Sequence, residues 1–436
     1  MNLQEIKENQ TKKILEFSVP AIISMMLTAF VTVADGFFMG NYVGKEGIAA
    51  VNLGLPIVYL YLGAGLMVSI GGAAMAGMCL GGGDRKGGNR LFCQTMATTA
   101  VLSLAISCVM VFCLHPMVLV LKAEGAVSRY FQEYYGVMLL TLPVMVINSS
   151  LGIFVRGDGN PGFYLKVTVL NTVLNVVMDY VAAGRLNLGA AGIALSSFLS
   201  ALVSMGCLLY YFWKKSEIYH FGAFTFSWKL CIKGMANGSS EFIGEMSTGI
   251  AMFAYNFVIM RMTGADGVAA FTIVGYVSYL FTMVIVGFGQ GASPLISFCY
   301  GANEKKTAAD IRRKTNGYVL GAGAGLFFAM AGIRDWYGGL FVPNETVRDM
   351  AGEGMVIFMT SFFFMGINAI TSFYFTATGR AFESGMISLA RGLVILLACI
   401  FVLPALFGMT GVWLAAPVTE GVTLGITAWF LRGEKA

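Results

Sequence analysis

Charge is scarce in this chain. Asp, Glu, Lys and Arg make up 12% of its 436 residues, against 57% hydrophobic, and mean hydropathy is +0.75. A soluble domain carries about a quarter charged residues, so the composition excludes one and predicts an integral membrane protein. Histidine is almost missing: His115 and His220 stand alone and far apart, which leaves no metal site. The eight cysteines form no CxxC pair and read as small apolar packing residues. No GxxxxGK[ST] segment occurs, so ATP hydrolysis is not expected, and no catalytic cluster marks the chain as an enzyme. The stretch GGGDRKGG at 81–88 reads as a turn in preference to a phosphate cradle. Alternating ten-residue strands are lacking, which argues against a barrel. The start, MNLQEIKENQTKKILEF, is polar and shows no cleavable signal.

What remains is long apolar runs of helical length. They predict an all-α integral membrane fold of twelve spans, near 15–40, 48–80, 91–114, 134–155, 162–183, 189–213, 237–262, 267–299, 315–333, 354–376, 384–404 and 409–431. The 55 glycines suit close helix packing in a bilayer. With the N-terminus inside, the inner segments hold 20 of the 28 Lys and Arg, from Lys7 to Lys435, and the outer loops hold seven. That bias predicts a multi-pass plasma membrane protein with both termini cytoplasmic. The net charge of +5 calls for lipid headgroups, not nucleic acid.

The chain repeats itself. GKEGIAAVNLGLPI from Gly44 parallels GADGVAAFTIVGYV from Gly264, an offset of 220 residues. The same offset aligns Asp84-Arg85-Lys86 with Glu304-Lys305-Lys306, Asn148 with Asn368, and Gly159 with Gly379. Two six-helix lobes follow: 1–213 (spans one to six) and 237–436 (spans seven to twelve), joined by a cytoplasmic linker at 214–236. An even number of spans per repeat gives both lobes the same orientation, as in two-lobed transporters with a central cavity.

Departures from the repeat point to function. Phe17 to Met39 is apolar for 23 residues, broken by Pro20 and by Asp35, a carboxyl group where charge costs a few kcal/mol. At the offset of 220, Asp35 faces Tyr255, Asn171 faces Arg391, Asn175 faces Ile395 and Asp179 faces Cys399. Asn171, Asn175 and Asp179 recur every four residues and stripe one face of span five. Asp35 and Asp179 lie at matching depths, so the two could share a small cavity suited to Na⁺. A proton is the other option, because burial beside a like charge disfavours ionisation. The bland reading is that Asp179 is interfacial and Asp35 snorkels. In the second half, Glu241 and Glu245 sit one turn apart near the inner part of span seven, and Glu420 lies mid-span in LAAPVTEGVTLG. The first two either face the cytoplasm or are relieved by a bound cation or proton. Glu353 and Glu383 read as helix-end residues. Arg391 either reaches the inner surface or pairs with an acid, the first being preferred.

Several of these segments resemble one family. Pro20…Asp35-Gly36…Gly40…Gly44…Ala49-Ala50, its echo at Gly264…Ala269-Ala270, RGDGNP at 156–161, Asn175-x-x-x-Asp179 and LGAAGIALSS at 188–197 resemble the multidrug and toxic compound extrusion (MATE) family. GVWLAAPVTE, ending in Glu420, is similar to its bacterial MepA-like branch. The resemblance implies a V-shaped pair of bundles around a central cavity. It implies export of cationic or amphipathic compounds by Na⁺ or H⁺ antiport, with alternating access and no cofactor beyond the coupling ion. The family's first-span aspartate matches Asp35, its fifth-span pair Asn175 and Asp179, its sixth-span hydroxyl Ser196 or Ser197, and its seventh-span glutamate Glu241. This chain has GSS where relatives often carry a proline before that glutamate, which leaves Glu245 as a second match. Membrane lipid and a small-molecule substrate are the expected partners, and the transporter is expected to act as a monomer. A flippase for a lipid-linked oligosaccharide is the alternative, but it would line its cavity with several Arg or Lys, and only Arg391 is a candidate. A channel or a membrane enzyme fits the two-fold repeat less well.

Overall fold

In the computed structural model, residues 2–120 and 122–433 are described, apart from the Asp335 side chain; Lys435, counted above, lies outside them. Among the described residues the chain is helical and without strands. Ten helices among these residues are long and apolar enough to cross a membrane. An eleventh span is the pair Glu345–Met359 and Phe362–Ala377, bent by 47°. The helix Ser239–Gly301 holds two spans, seven and eight, because Gly264 breaks it at φ +67° and ψ −150°. The expected twelve are therefore present.

Their boundaries follow local chemistry. Left-handed residues end helices, and glycine takes that conformation without strain. These positions obey the repeat: Gly44 and Gly264, Gly83 and Asn303, Gly159 and Gly379 all have positive φ. Span two begins at Leu55, after a separate short helix Lys45–Leu53, and not at 48. Span five, Pro161–Asp179, starts with Pro161 behind an Asn160 cap whose side chain accepts from the Phe163 amide. It ends in a π-helical turn, Tyr180–Arg185, and span eleven carries another at Ala390–Val394. Asp84 caps the helix Arg85–Val120 by accepting from the Gly87 amide at 2.8 Å, so GGGDRKGG forms the expected turn. The linker is more ordered than its composition suggests. Its 215–227 stretch is pinned to span three by Asn89, Arg90 and Gln94, and Trp228–Asn237 is a helix. Glu353 lies exposed within the helix Glu345–Met359, not at its end, whereas Glu383 starts its helix paired with Arg380 at 2.7 Å.

The lobes join at the end that carries both termini. There Ile14 and Phe17 of span one, the helix Gln10–Tyr42, pack in one cluster with Leu295, Ile311, Tyr374, Phe375 and Phe430 of the second lobe. Glycine permits the contact. A Cβ on Gly291 would stand 2.5 Å from the Ser18 Cα, and one on Gly301 would stand 2.0 Å from the Met78 carbonyl oxygen. Gly71 and Gly81 of span two approach Gly234 and Phe298 in the same way. Span one passes through Pro20 as one continuous helix. Its second half leaves this seam and packs with spans five and six in the first lobe, where Asp35 lies.

Candidate functional site

Three helices bring the first-lobe polar residues together. Asp35 comes from span one, Asn175 and Asp179 from span five, and Ser197 from span six, the helix Gly189–Lys214. Asn175 Nδ2 donates to Ser197 Oγ at 3.1 Å, and Ser197 Oγ donates to Asp35 Oδ2 at 3.4 Å. Asp179 is fully buried and close enough to Asp35 for each carboxyl group to act directly on the other. Ser196 sits near Asp179 but donates to the Gly192 carbonyl at 3.0 Å, so of the two adjacent serines only Ser197 bonds an acid. Tyr134, buried in span four, also lies within electrostatic reach of both acids; one tyrosine among eighteen gave no signal of this in the sequence.

Four oxygens here find no hydrogen-bond partner among the protein atoms: Asp35 Oδ1, Asn175 Oδ1 and both of Asp179. Buried acceptors left unpaired are costly. Carboxylate and carboxamide oxygens converging in one place suit a hard cation or a proton shared between the acids. They do not suit a transition metal, and no group of three His, Cys, Asp or Glu side chains forms among the described residues.

Asn171 stands apart from this group. It lies one turn before Asn175 and two turns, about 12 Å along the axis, before Asp179, and its Oδ1 accepts from Ser204 Oγ at 3.1 Å.

The second lobe is arranged differently. Tyr255 and Cys399, the counterparts of Asp35 and Asp179, pack in an apolar cluster with Ile259, Ile400 and Val412. Glu420 is buried and fully engaged. Arg391 donates to its Oε1 from Nε at 3.1 Å and Nη2 at 2.7 Å, and Asn368 Nδ2 donates to its Oε2 at 2.7 Å. Asn368 in turn accepts from Thr427 at 2.9 Å. The preferred expectation for Arg391, that it reaches the inner surface, is thereby corrected: the π-turn at 390–394 presents it to an acid on span twelve. Glu241 and Glu245 are half-buried. Glu245 lies against Gly63 of span two and within reach of Tyr59 and Tyr279, at the seam between lobes, while Glu241 feels Arg391. The structure therefore joins Asp35, Asn175, Asp179 and Ser197 in one site, and places Glu241, Glu245 and Glu420 in the other lobe.

Comparisons with known proteins agree with this architecture. The MatE family model matches twice, at residues 20–181 and 242–403, once per repeat. The multidrug export protein MepA of Staphylococcus saprophyticus is 23% identical over 425 residues, 95% of this chain and 92% of that protein. MepA of Staphylococcus aureus strain bovine RF122 is also 23% identical, over 94% of this chain and 91% of its own length. A multidrug resistance MATE family transporter solved in an outward-facing conformation superposes with a TM-score of 0.91 at 20% identity, covering 97% of this chain and 95% of that one. The Vibrio cholerae MATE transporter VcmN gives a TM-score of 0.90 at 16% identity, over 97% of both chains. With the family model matching both halves and MepA proteins aligned nearly end to end, the chain belongs to the MatE family, as a multidrug efflux transporter of the MepA-like branch.

Proposed function

We propose that this transporter exports cationic or amphipathic compounds by antiport against a cation, Na⁺ or H⁺, that binds at Asp35 and Asp179. The observation that carries the reading is the pair of acids, Asp179 buried and Asp35 half-buried, with unpaired oxygens beside Asn175 and Ser197. Loading that site with a positive charge favours one arrangement of spans one, five and six; emptying it favours another. The coupling needs only that ion and substrate disfavour each other's state, and the linkage is reciprocal. The lobes meet at the termini end, which the 20-to-7 excess of Lys and Arg assigns to the cytoplasm. Rocking the lobes about the glycine seam would then expose the central space to either side in turn. Glu241 and Glu245, at the seam, are the acids a cationic substrate would meet in the second lobe. Membrane potential adds about 2.3 kcal/mol per charge per 100 mV to the driving force. The protein acts in this scheme as a monomer in the plasma membrane. The flippase alternative loses the cation that the sequence offered it, because Arg391 is already neutralised by Glu420.

The test uses purified protein in liposomes preloaded with ethidium. A Na⁺ gradient and a pH gradient are imposed separately on wild type and on Asp35→Asn. Efflux driven by one gradient and lost in the variant identifies the coupling ion. Equal efflux from a folded Asp35→Asn protein refutes the assignment.

A further inference from the structure

At the seam between the lobes, well away from Asp35, a buried positive charge has no acid to meet. Arg156 ends span four in RGDGNP and is 2% exposed. Its Nη2 donates across the interface to Gln290 Oε1 of span eight at 2.8 Å. Its Nε and Nη1 are buried and have no hydrogen-bond partner. The Tyr164 ring lies beneath the guanidinium, 4.8 Å from its Cζ, and among the described residues no acid acts on it. The nearest acid in sequence, Asp158, turns away to accept from Tyr211 at 2.7 Å. A buried charge without a counter-ion costs several kcal/mol, and structures normally supply one.

Arg156 and Gln290 line a cavity of about 30 Å³ between the lobes, bordered by Gly77, Tyr219, Ser293 and Ser297. The two serines spend their hydroxyl protons on their own helix, on the carbonyls of Gly289 and Pro294. The donors left for a guest are therefore the guanidinium and the Gln290 amide, and they belong to opposite lobes. That space is ample for a water or an ion of similar size. A water would fit, but it would not neutralise the charge.

We propose that this cavity is an anion site for one small inorganic anion of chloride size, held between Arg156 and Gln290. It is separate from the cation site of the first lobe, and its occupancy does not depend on which ion drives export. Because its ligands come from both lobes, separating the lobes at this end dismantles it, so a bound anion favours the conformation closed there.

The experiment uses the full-length protein, purified in detergent at constant Na⁺ and ionic strength, with chloride exchanged for gluconate. Equilibrium binding of radioactive chloride to wild type is measured beside thermal stability. Saturable binding, with stabilisation by chloride and bromide but not by gluconate, is expected. Two variants locate the site. Arg156→Gln should lose binding by about tenfold or more, as expected when a charged hydrogen-bond partner is removed. Gln290→Glu supplies an internal anion to the same guanidinium, so it should remain folded and lose its response to chloride. It also guards against misfolding of the first variant. Absence of saturable chloride binding to wild type, or an unchanged chloride response in Gln290→Glu, overturns the proposal. Neither readout involves transport, so failure here leaves the antiport reading untouched, and the reverse also holds.

Discussion

Glu420→Gln is nearly isosteric, yet the network around it leaves the new amide nowhere to turn. The native carboxylate accepts three donors, two from Arg391 and one from Asn368. Asn368 cannot flip to compensate. Its Nδ2 also donates to the Glu420 carbonyl at 2.9 Å, and its Oδ1 is held by Thr427. Whichever way the Gln amide is set, its NH₂ faces a donor. The variant loses a charge-assisted bond, typically about 1.5–3 kcal/mol, and leaves Arg391 without its hydrogen-bonded counter-ion. Breaking a buried pair costs about 3–5 kcal/mol, but the Arg391 side chain keeps 22% exposure, which lowers the figure. About 2–3 kcal/mol is expected. Domains of 150–250 residues lose about 2–4 °C of Tm per kcal/mol and longer chains less, so a fall of about 3–6 °C is expected. The assay is thermal unfolding of purified protein in detergent, run on wild type, Glu420→Gln, Arg391→Gln and the double variant. Contacting residues are non-additive by about 0.5–3 kcal/mol, so the double variant should lie well above the sum of the singles. A Glu420→Gln protein that melts with wild type, or strict additivity, would refute the network account.

Three further outcomes follow from the same contacts. Cysteines placed at Lys7 and Glu304, whose side chains pair at 2.8 Å at the termini end, should be joined by a short bifunctional thiol reagent and arrest transport with that end shut; free transport after complete cross-linking would exclude that end as a moving gate. Gly291→Leu should cost about 1–3 kcal/mol as overpacking against Ser18, read as a lower melting temperature, while Gly317→Leu, with nothing within 4 Å, should melt with wild type. Lys13, bonded to Glu5 at 2.7 Å, holds the Glu5 carboxyl below its ordinary value of 4.5. A lowered carboxyl contributes above its unfolded value and loses that contribution as pH falls through its folded one. Protection from hydrogen exchange over the terminal helix Leu3–Glu8, taken relative to the intrinsic rate at each pH, should therefore fall on acidification below about pH 4.5, and less so in Glu5→Gln.

Much of the fold was legible because apolar length and glycine punctuation are local signals. The repeat could be read from Gly44 and Gly264, and the same residues mark where the structure turns left-handed. Boundaries slipped where a break falls inside an apolar run, as at Gly54, where span two begins seven residues after the expected 48. The Asp35, Asn175 and Asp179 group was visible because a polar residue in hydrocarbon is conspicuous by itself. Arg391 and Glu420 were conspicuous too, but their partnership was not: they lie 29 residues apart on different helices, and a π-turn resets the face that Arg391 presents. Arg156 gave no signal, since an arginine at an expected cytoplasmic helix end looks ordinary until its burial is known.

The symmetry also shows what differs between the lobes. At the offset of 220, Asn171 corresponds to Arg391 and Ser200 to Glu420. One lobe fills that level with neutral groups, Asn171 bonded to Ser204, and the other fills it with an acid and a base that cancel. Neither arrangement leaves net charge there. One level further from the termini, the second lobe is closed by Tyr255 and Cys399 among apolar side chains, while the first keeps two acids and no base. Of these paired levels, only that of Asp35 and Asp179 can change its net charge by taking up a cation without first breaking an ion pair. In the antiport proposed above, the cation therefore loads the first lobe at this level. The other lobe can then act as the fixed body against which spans one, five and six rearrange.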